Sequence, residues 1–577
     1  MPPRYNCGGV FTILKRGGAL MAKKTKYVEK YASFYESLNN LRDFIDFIAD
    51  TYRDKTAIIF KDKTRKHKTE ISYTKLREDV NVLSAYLLSK GIAGKRIAVI
   101  GPNSYEWLIT YYAVMNNVGV LVPLDKGLPD DEIANSLALA ETDVIVYDAS
   151  YADRIAGLAE TYGTKIETAI SMAEFTQDKL ANLAPLLDEY KGSFKEIDPD
   201  EVSLILFTSG TTSQAKAAML THRNIASNVA MLHKVEGLTE DDRGFIFLPL
   251  HHAFGSTGVS FLLSYGCTNA FCSGIKHFQK ELGEYEISAF FCVPLIIEAM
   301  IDKVLKTADK QGKREKLEKA RKISRALRKI GIDLRPVFFK EIQQGLGGHL
   351  RYLISGAAPM SLETIEYIND FGIEAIQGYG LTETAPVVAG ESVYIKKPGT
   401  VGWPMPWVEV KLHEPNEEGI GELLVKGSNV MKGYLNPDDN AKAFIDGYYN
   451  TGDLASIDSD GCITIHGRLK NVVVLKNGKN IYPEEIEALI DKLPYAKENV
   501  VLGQEDGEDY RLVTKIVYDP EAFPGKTEDE IRKVIEADVE KINDDMPKYK
   551  RIKEVFLTTQ EFEKTTTNKI KRNKVVL

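Results

Sequence analysis

The stretch Thr208-Ser209-Gly210-Thr211-Thr212-Ser213-Gln214-Ala215-Lys216 sets hydroxyl side chains around one glycine and closes on a lysine. A flexible turn of this kind presents amides and hydroxyls that can wrap a polyphosphate, and its lysine adds a mobile positive charge. The glycine spacing is not that of the GxxxxGK[ST] loop. A polar connection between strands is the plain alternative, because Ser/Thr-rich turns are common. Further along lie Leu248-Pro249-Leu250-His251-His252, Ser355-Gly356-Ala357-Ala358-Pro359 and Gln377-Gly378-Tyr379-Gly380-Leu381-Thr382-Glu383. Then come Tyr449-Asn450-Thr451-Gly452-Asp453, Gly467-Arg468 and a basic segment, Lys564-Thr565-Thr566-Thr567-Asn568-Lys569-Ile570-Lys571-Arg572. Each has a bland reading by itself: a packed histidine, a tight turn before a helix, a solvated arginine, a basic tail.

The elements that must carry these residues are legible from hydrophobic pattern. KRIAVIG (95–101), VGVLVPL (118–124) and DVIVYD (143–148) are β-branched runs bounded by turn residues, with amphipathic helical patterns between them. A second set follows: SLILF (203–207), GFIFLPL (244–250), SAFFCVP (288–294) and LRYLISG (350–356). Strands alternating with helices predict layered α/β architecture with much parallel sheet. After Gly399 the texture turns to short strands and Gly/Asn turns, which predicts an antiparallel β region over about 399–469. A small α+β segment runs to Leu577. The expected organisation is a disordered extension over 1–20, a large domain over 21–469 and a small mobile domain over 470–577, with the hinge at Lys470.

The chain has 577 residues, 44% hydrophobic and 27% charged, with a net charge of −8. That composition suits a soluble globular protein of several domains and carries no signature of nucleic-acid binding. Its five cysteines, Cys7, Cys267, Cys272, Cys292 and Cys462, form no CxxC pair or zinc-ligand spacing. They read as reduced thiols of a cytoplasmic protein. The apolar stretch SAFFCVPLIIEAM (288–300) is too short to cross a bilayer, and the N-terminus lacks a secretory cleavage pattern. Residues 301–330 hold twelve basic against four acidic residues, with apolar positions at helical spacing. Two helices with one docked and one solvated face are the preferred reading. The sharper reading is a surface for an anionic membrane or an acidic carrier protein.

Taken in order, the motifs resemble those of the adenylate-forming (AMP-binding) superfamily. FTSGTT…K is similar to its phosphate loop, [YF]TSGTTGxPKG, with Ser213, Ala215 and Ala217 replacing Gly, Pro and Gly. The resemblance implies that Thr208, Ser209, Gly210, Thr211, Thr212 and Lys216 hold phosphate. It places Gly356, Ala357 and Ala358 against adenine, where small residues permit close backbone approach to a flat ring. Gln377, Gly378, Tyr379 and Gly380 complete that wall, with Tyr379 offering an aromatic face. Thr382 would bond a phosphate and Glu383 would ligate Mg²⁺, which favours hard carboxylate oxygens. Asp453 would accept both ribose hydroxyls and Arg468 would donate to the same ribose. His252 matches a residue that gates the acyl pocket. Lys569 matches the catalytic lysine of KTxxGKIxR, with Asn568 in the glycine position, a residue tolerant of left-handed φ.

The stretch from Gly467 to Glu487, together with Lys313–Met360, resembles the long-chain acyl-CoA synthetase branch. FLLSYG (261–266) and Val387-Val388 are candidate walls of an acyl tunnel, and no charged acid-binding residue stands out over 252–275. The implied chemistry takes ATP, Mg²⁺ and coenzyme A. A fatty acid attacks the α-phosphate, pyrophosphate leaves, and the small domain rotates about Lys470 to bring Gly478 to the thiol. An acyl-adenylate ligase loading a carrier protein would share every motif. An aryl-acid:CoA ligase and a non-catalytic acyl or nucleotide sensor also stay open. The retained Lys569 argues against a sensor.

Overall fold

The computed structural model describes residues 31–62, 64–208, 216–235, 237–475, 480–506, 509–564 and 569–577. It divides into two compact units, one of residues up to Val410 plus Val425–Tyr449, the other of Lys411–Leu424 plus Asn450–Leu577.

The first unit carries two large sheets. In one the strand order is Trp403–Pro404, Val387–Gly390, Glu374–Gly380, Tyr352–Ser355, Ala289–Cys292, Arg243–Ile246, Thr268–Phe271, Thr56–Lys61, Lys68–Ser72. Its middle strands, from Glu374–Gly380 to Thr56–Lys61, run parallel, and antiparallel pairs flank them. The other sheet orders Gly433–Tyr434, Lys216–Thr221, Val202–Thr208, Val120–Pro123, Arg96–Ile100, Val144–Tyr147, Thr168–Ser171. Its last five strands are parallel. The β-branched runs read from the sequence are thus the parallel strands, and they are continuously apolar because both faces are covered.

Two helices show the layering most directly. Tyr105–Met115 and Ala253–Ser264 are buried almost all round, as a helix enclosed in an interior must be. Their polar groups find each other: the Tyr112 hydroxyl and Ser260 Oγ lie 2.8 Å apart. Among the described residues no helix is long and apolar enough to cross a membrane.

The basic stretch forms the helices Pro294–Lys310 and Arg314–Arg328. Much of its charge is solvated, but three arginines turn inward onto one carboxylate. Asp370, 1% exposed, accepts from Arg321 Nε at 3.0 Å, Arg325 Nε at 2.8 Å and Arg328 Nη2 at 2.7 Å. The Arg321 guanidinium also lies 3.3 Å from the ring centroid of Tyr367. This network joins Arg314–Arg328 to the helix Leu362–Asp370.

The second unit contains the antiparallel strands Tyr448–Ile457, from Asn450 onward, and Ile463–Arg468. It also has a sheet of Ala496–Asp506, Asp509–Tyr518 and Ile552–Thr558. The helices Pro483–Ile490 and Glu528–Asp544 cover that sheet through Ile486, Ile490, Ile535 and Val539, closing a separate small core. Expectations for the extension over 1–20 fall outside the described residues.

Removing Asp370 takes the carboxylate from Arg328 and leaves the buried Arg321 with Glu318 and the part-exposed Arg325 with Glu366. Asp370→Ala should cost about 3–5 kcal/mol, measured as a lowered denaturation midpoint. A loss below about 1 kcal/mol would show that water replaces the carboxylate without penalty.

Candidate active site

In the first unit the motif residues gather at the carboxyl ends of parallel strands, where open α/β sheets bind ligands. Gly356–Ala358 leave the strand Tyr352–Ser355 beside Gln377–Gly380, since Ser355 pairs with Gln377. Gly356 is hemmed in: a Cβ there would come 3.1 Å from Phe254 Cζ. Ala357 and Ala358 are exposed, so the turn offers a small open surface to a flat ring. Ala357 (φ 70°) and Ala385 (φ 59°) both adopt left-handed backbone. Such conformations cost of order 1–3 kcal/mol and collect at functional sites.

After Gly380 the chain doubles back. A Cβ at Gly380 would stand 1.9 Å from the Pro386 carbonyl oxygen, so only glycine permits the approach. Leu381 N donates to that same oxygen at 3.0 Å. The resulting turn, Thr382–Thr384, presents Thr382 and Glu383. Glu383 is 8% exposed, and its Oε1 accepts from the Tyr434 hydroxyl at 2.8 Å. Burial first, then the Glu383 charge, pushes the Tyr434 hydroxyl well above its ordinary range. Tyr434 therefore stays a donor.

Tyr434 reaches Glu383 because Gly433–Tyr434 pairs with the strand Lys216–Thr221. That strand begins at the lysine closing the hydroxyl-rich loop. Lys216 Nζ lies 2.9 Å from Asp439 Oδ1 and 4.9 Å from the Tyr434 ring centroid. Thr208 ends the preceding strand, and its Oγ1 donates to the Lys216 carbonyl at 3.4 Å. Ser209, Gly210, Thr211 and Thr212 lie outside the described residues, as do the departures Ser213 and Ala215. Tyr434 and Asp439 escaped the sequence reading. Their only signal was a Gly-Tyr step followed by Asn436-Pro437, which reads as an ordinary turn.

His252 occupies the N-cap position of the helix Ala253–Ser264, with no capping hydrogen bond from its side chain. Burial first, then the neighbouring His251, holds its imidazole down to about 4, against the opposing pull of Asp125. It is a neutral imidazole at neutral pH. Phe254, Phe261 and Phe291 stack edge to face beside it, with centroids 5.4 Å apart in each contact.

The second unit brings together Asp453 and Arg468. They are partners across an antiparallel ladder, with Arg468 Nε 2.8 Å from Asp453 Oδ1. Arg468 also donates to the Thr451 carbonyl at 3.0 Å, and Thr451 Oγ1 accepts from Asp453 N at 3.0 Å. Lys470 follows in the turn Leu469–Asn471. Partial desolvation, then the guanidinium groups of Arg468 and Arg572, pushes its ammonium down to about 8. Gly478 lies outside the described residues. Lys569 is exposed. It stands beside an antiparallel bridge of Lys564 with Ile570. Arg572 is anchored: it pairs with Glu487 and donates to the Val501 carbonyl at 3.1 Å. The basic segment is therefore docked at both ends.

The motif residues thus crown parallel sheet in the first unit and an antiparallel ladder in the second. The AMP-binding enzyme family profile matches residues 46–435, and the AMP-binding enzyme C-terminal domain matches residues 470–576. The chain belongs to the AMP-binding enzyme family. It is 30% identical to long-chain-fatty-acid–CoA ligase 6 of Mus musculus over 465 residues, covering 74% of this chain and 66% of that one. It is 28% identical to a feruloyl-CoA synthase of Amycolatopsis sp over 452 residues, 76% and 81% of the two chains. Among solved structures it resembles ATP-bound MatB of Rhodopseudomonas palustris, with TM-score 0.71, 24% identity and coverage of 92% and 98%. The fatty acyl CoA synthetase of Mycobacterium tuberculosis gives TM-score 0.64 at 22% identity, covering 92% and 96%.

Tyr434→Phe keeps the ring and removes the hydroxyl that orients Glu383. With Glu383 as the Mg²⁺ ligand that the family resemblance implies, loss of such an outer partner would cost about 10–100-fold in metal affinity or activity. Acid-dependent pyrophosphate release should fall by that factor and need more Mg²⁺ to saturate. An unchanged Mg²⁺ dependence would remove Tyr434 from the site.

Proposed function

We propose that this chain activates an apolar carboxylic acid of medium or long chain as its acyl-adenylate and transfers the acyl group to coenzyme A. The observation that supports an apolar acid is the helix Ala253–Ser264. It is buried, carries no ionisable side chain and runs from His252 past Phe254 and Phe261. A dicarboxylate would leave a second charge in that interior without a partner, a cost of several kcal/mol. The names of the long-chain ligase relatives agree with this reading.

In this proposal Lys216, Thr382 and the hydroxyl-rich loop hold the phosphates, while Ala357, Ala358 and Tyr379 face the adenine. Asp453 and Arg468 take the ribose. Glu383 suits Mg²⁺: it is a carboxylate with one oxygen fixed by Tyr434. The ion would supply charge neutralisation at the phosphates, and a solved structural neighbour is described as a complex with ATP and magnesium ion. Lys569 supplies charge to the attacking carboxylate, and a swing about Lys470 then replaces it with Gly478 for thiol attack.

The half-reactions separate these roles. Lys569→Ala should lower adenylation by at least about 10²–10³-fold and spare thioester formation from pre-made acyl-adenylate. Lys470→Pro, which fixes φ near −65°, should spare adenylation and block transfer. Equal loss of both steps in each variant would refute the assignment.

Chain length tests the substrate. Each buried methylene should add up to about 0.8 kcal/mol to the kcat/KM of successive fatty acids until the tunnel is full. The feruloyl-CoA synthase relative favours an aryl acid as second reading, and a kcat/KM highest for an aryl acid would establish it. Loading of a carrier protein would draw on Lys316, Lys319, Lys322 and Lys329, which stay exposed. Turnover with free coenzyme A alone argues against it.

A further inference from the structure

Beside His252 the first unit holds two donors that the ligase chemistry does not use. Asp125 follows the strand Val120–Pro123, and His251 precedes the helix Ala253–Ser264. One donor atom from each of Asp125, His251 and His252 lies within 4.8 Å of the others. His251 is 8% exposed. Its Nε2 is buried and makes no hydrogen bond among the described residues, yet sits 3.4 Å from Asp125 Oδ2. A buried ring nitrogen that faces a carboxylate without hydrogen-bonding to it is a site that a shared cation would satisfy.

The backbone under these donors is fixed from two directions. Asn103 donates to the Leu248 carbonyl at 2.8 Å and accepts from Leu250 N at 3.0 Å, pinning the turn that leads to the histidines. Asp125 Oδ1 accepts from Gly127 N at 2.8 Å, and its Oδ2 lies 3.4 Å from His251 Nε2. Around a tetrahedral Zn²⁺ with ligands at about 2.0–2.2 Å, donor atoms stand roughly 3.3–3.6 Å apart. The Asp125–His251 separation of 3.4 Å already falls in that range, and the other separations, within 4.8 Å, would have to close by side-chain rotation.

We propose that Asp125, His251 and His252 bind one divalent late transition-metal ion, Zn²⁺ foremost. Two imidazoles and a carboxylate suit Zn²⁺ over Mg²⁺, which prefers oxygen ligands alone. Three protein ligands leave a fourth position for water. A regulatory consequence rests on the reading of His252 as the residue at the acyl entrance. An ion that holds its imidazole would clamp the entrance, so Zn²⁺ would reversibly inhibit adenylation.

The test uses the tag-free full-length chain, stripped of metal. Zn²⁺ titrated calorimetrically should bind at one ion per chain, and Co²⁺ should give a visible ligand-field band that Zn²⁺ abolishes. His251→Asn and Asp125→Asn, checked for unchanged melting, should each weaken Zn²⁺ binding at least about 100-fold, beyond the usual loss of an outer-shell partner. Both variants should retain acid-dependent pyrophosphate release in excess Mg²⁺ and resist Zn²⁺ inhibition. No saturable binding, or equal affinity in both folded variants, would overturn the site. Binding lost in the variants while Zn²⁺ leaves wild-type turnover unchanged would sustain the site and refute the entrance role of His252.

Discussion

Burying a carboxylate costs several kcal/mol unless donors replace its water, and the hydrogen bond from Tyr434 to Glu383 meets that demand in the first unit. The rest of the site follows from it. Tyr434 can donate only if Gly433–Tyr434 is paired to Lys216–Thr221, and that pairing places Lys216 over the same ring. Glu383 can receive only if the chain reverses at Gly380, where a single methyl would strike the Pro386 carbonyl. The Met431 amide completes the clasp by donating to the Glu383 carbonyl at 2.8 Å. One bond thus ties the lysine of the hydroxyl-rich loop to the carboxylate suited to a hard cation.

The parallel strands were legible because burial on both faces imposes continuous apolar runs. IAVI, VLV and VIV read as interior strands, and are. Residues at strand ends were legible as motifs, since close approach of chain segments, as at Gly380, restricts residue type. Partners that act from a distance in sequence were not. Tyr434 is 51 residues from Glu383, and nothing local to either announces the bond. Asp370 shows the same limit. The charge surplus over 301–330 was countable, but only the packing of Leu362–Asp370 against Arg314–Arg328 shows that three arginines serve one buried carboxylate. Sequence periodicity gives a helix its faces; it does not say which cations are neutralised.

In the second unit, burial again explains a motif that composition alone would leave as a tail. Glu487 lies in a poorly solvated position that pushes its carboxyl up to about 7, while the Arg572 guanidinium opposes the rise. Arg572 must therefore stay docked for the pair to be tolerated. With Lys564 paired to Glu561 at 3.2 Å and Lys571 to Glu563 at 2.8 Å, the charges around Lys569 are committed locally. The role proposed for Lys569 at a carboxylate would benefit from such a frame, because flanking cations that are already neutralised do not compete for the same anion.

The departures from the family's phosphate loop separate by the same physical test. Ala217 stands where the family has glycine, yet it lies inside a strand, paired with Phe207 and 3% exposed. Its carbonyl accepts from Leu435 N at 2.8 Å. An extended, fully paired residue needs no left-handed backbone, and alanine loses less conformational entropy than glycine on folding. The replacement at 217 is thus compatible with the strand that aligns Lys216 and Tyr434. Ser213 and Ala215 lie outside the described residues, so Ala217 is the departure whose packing the structure describes.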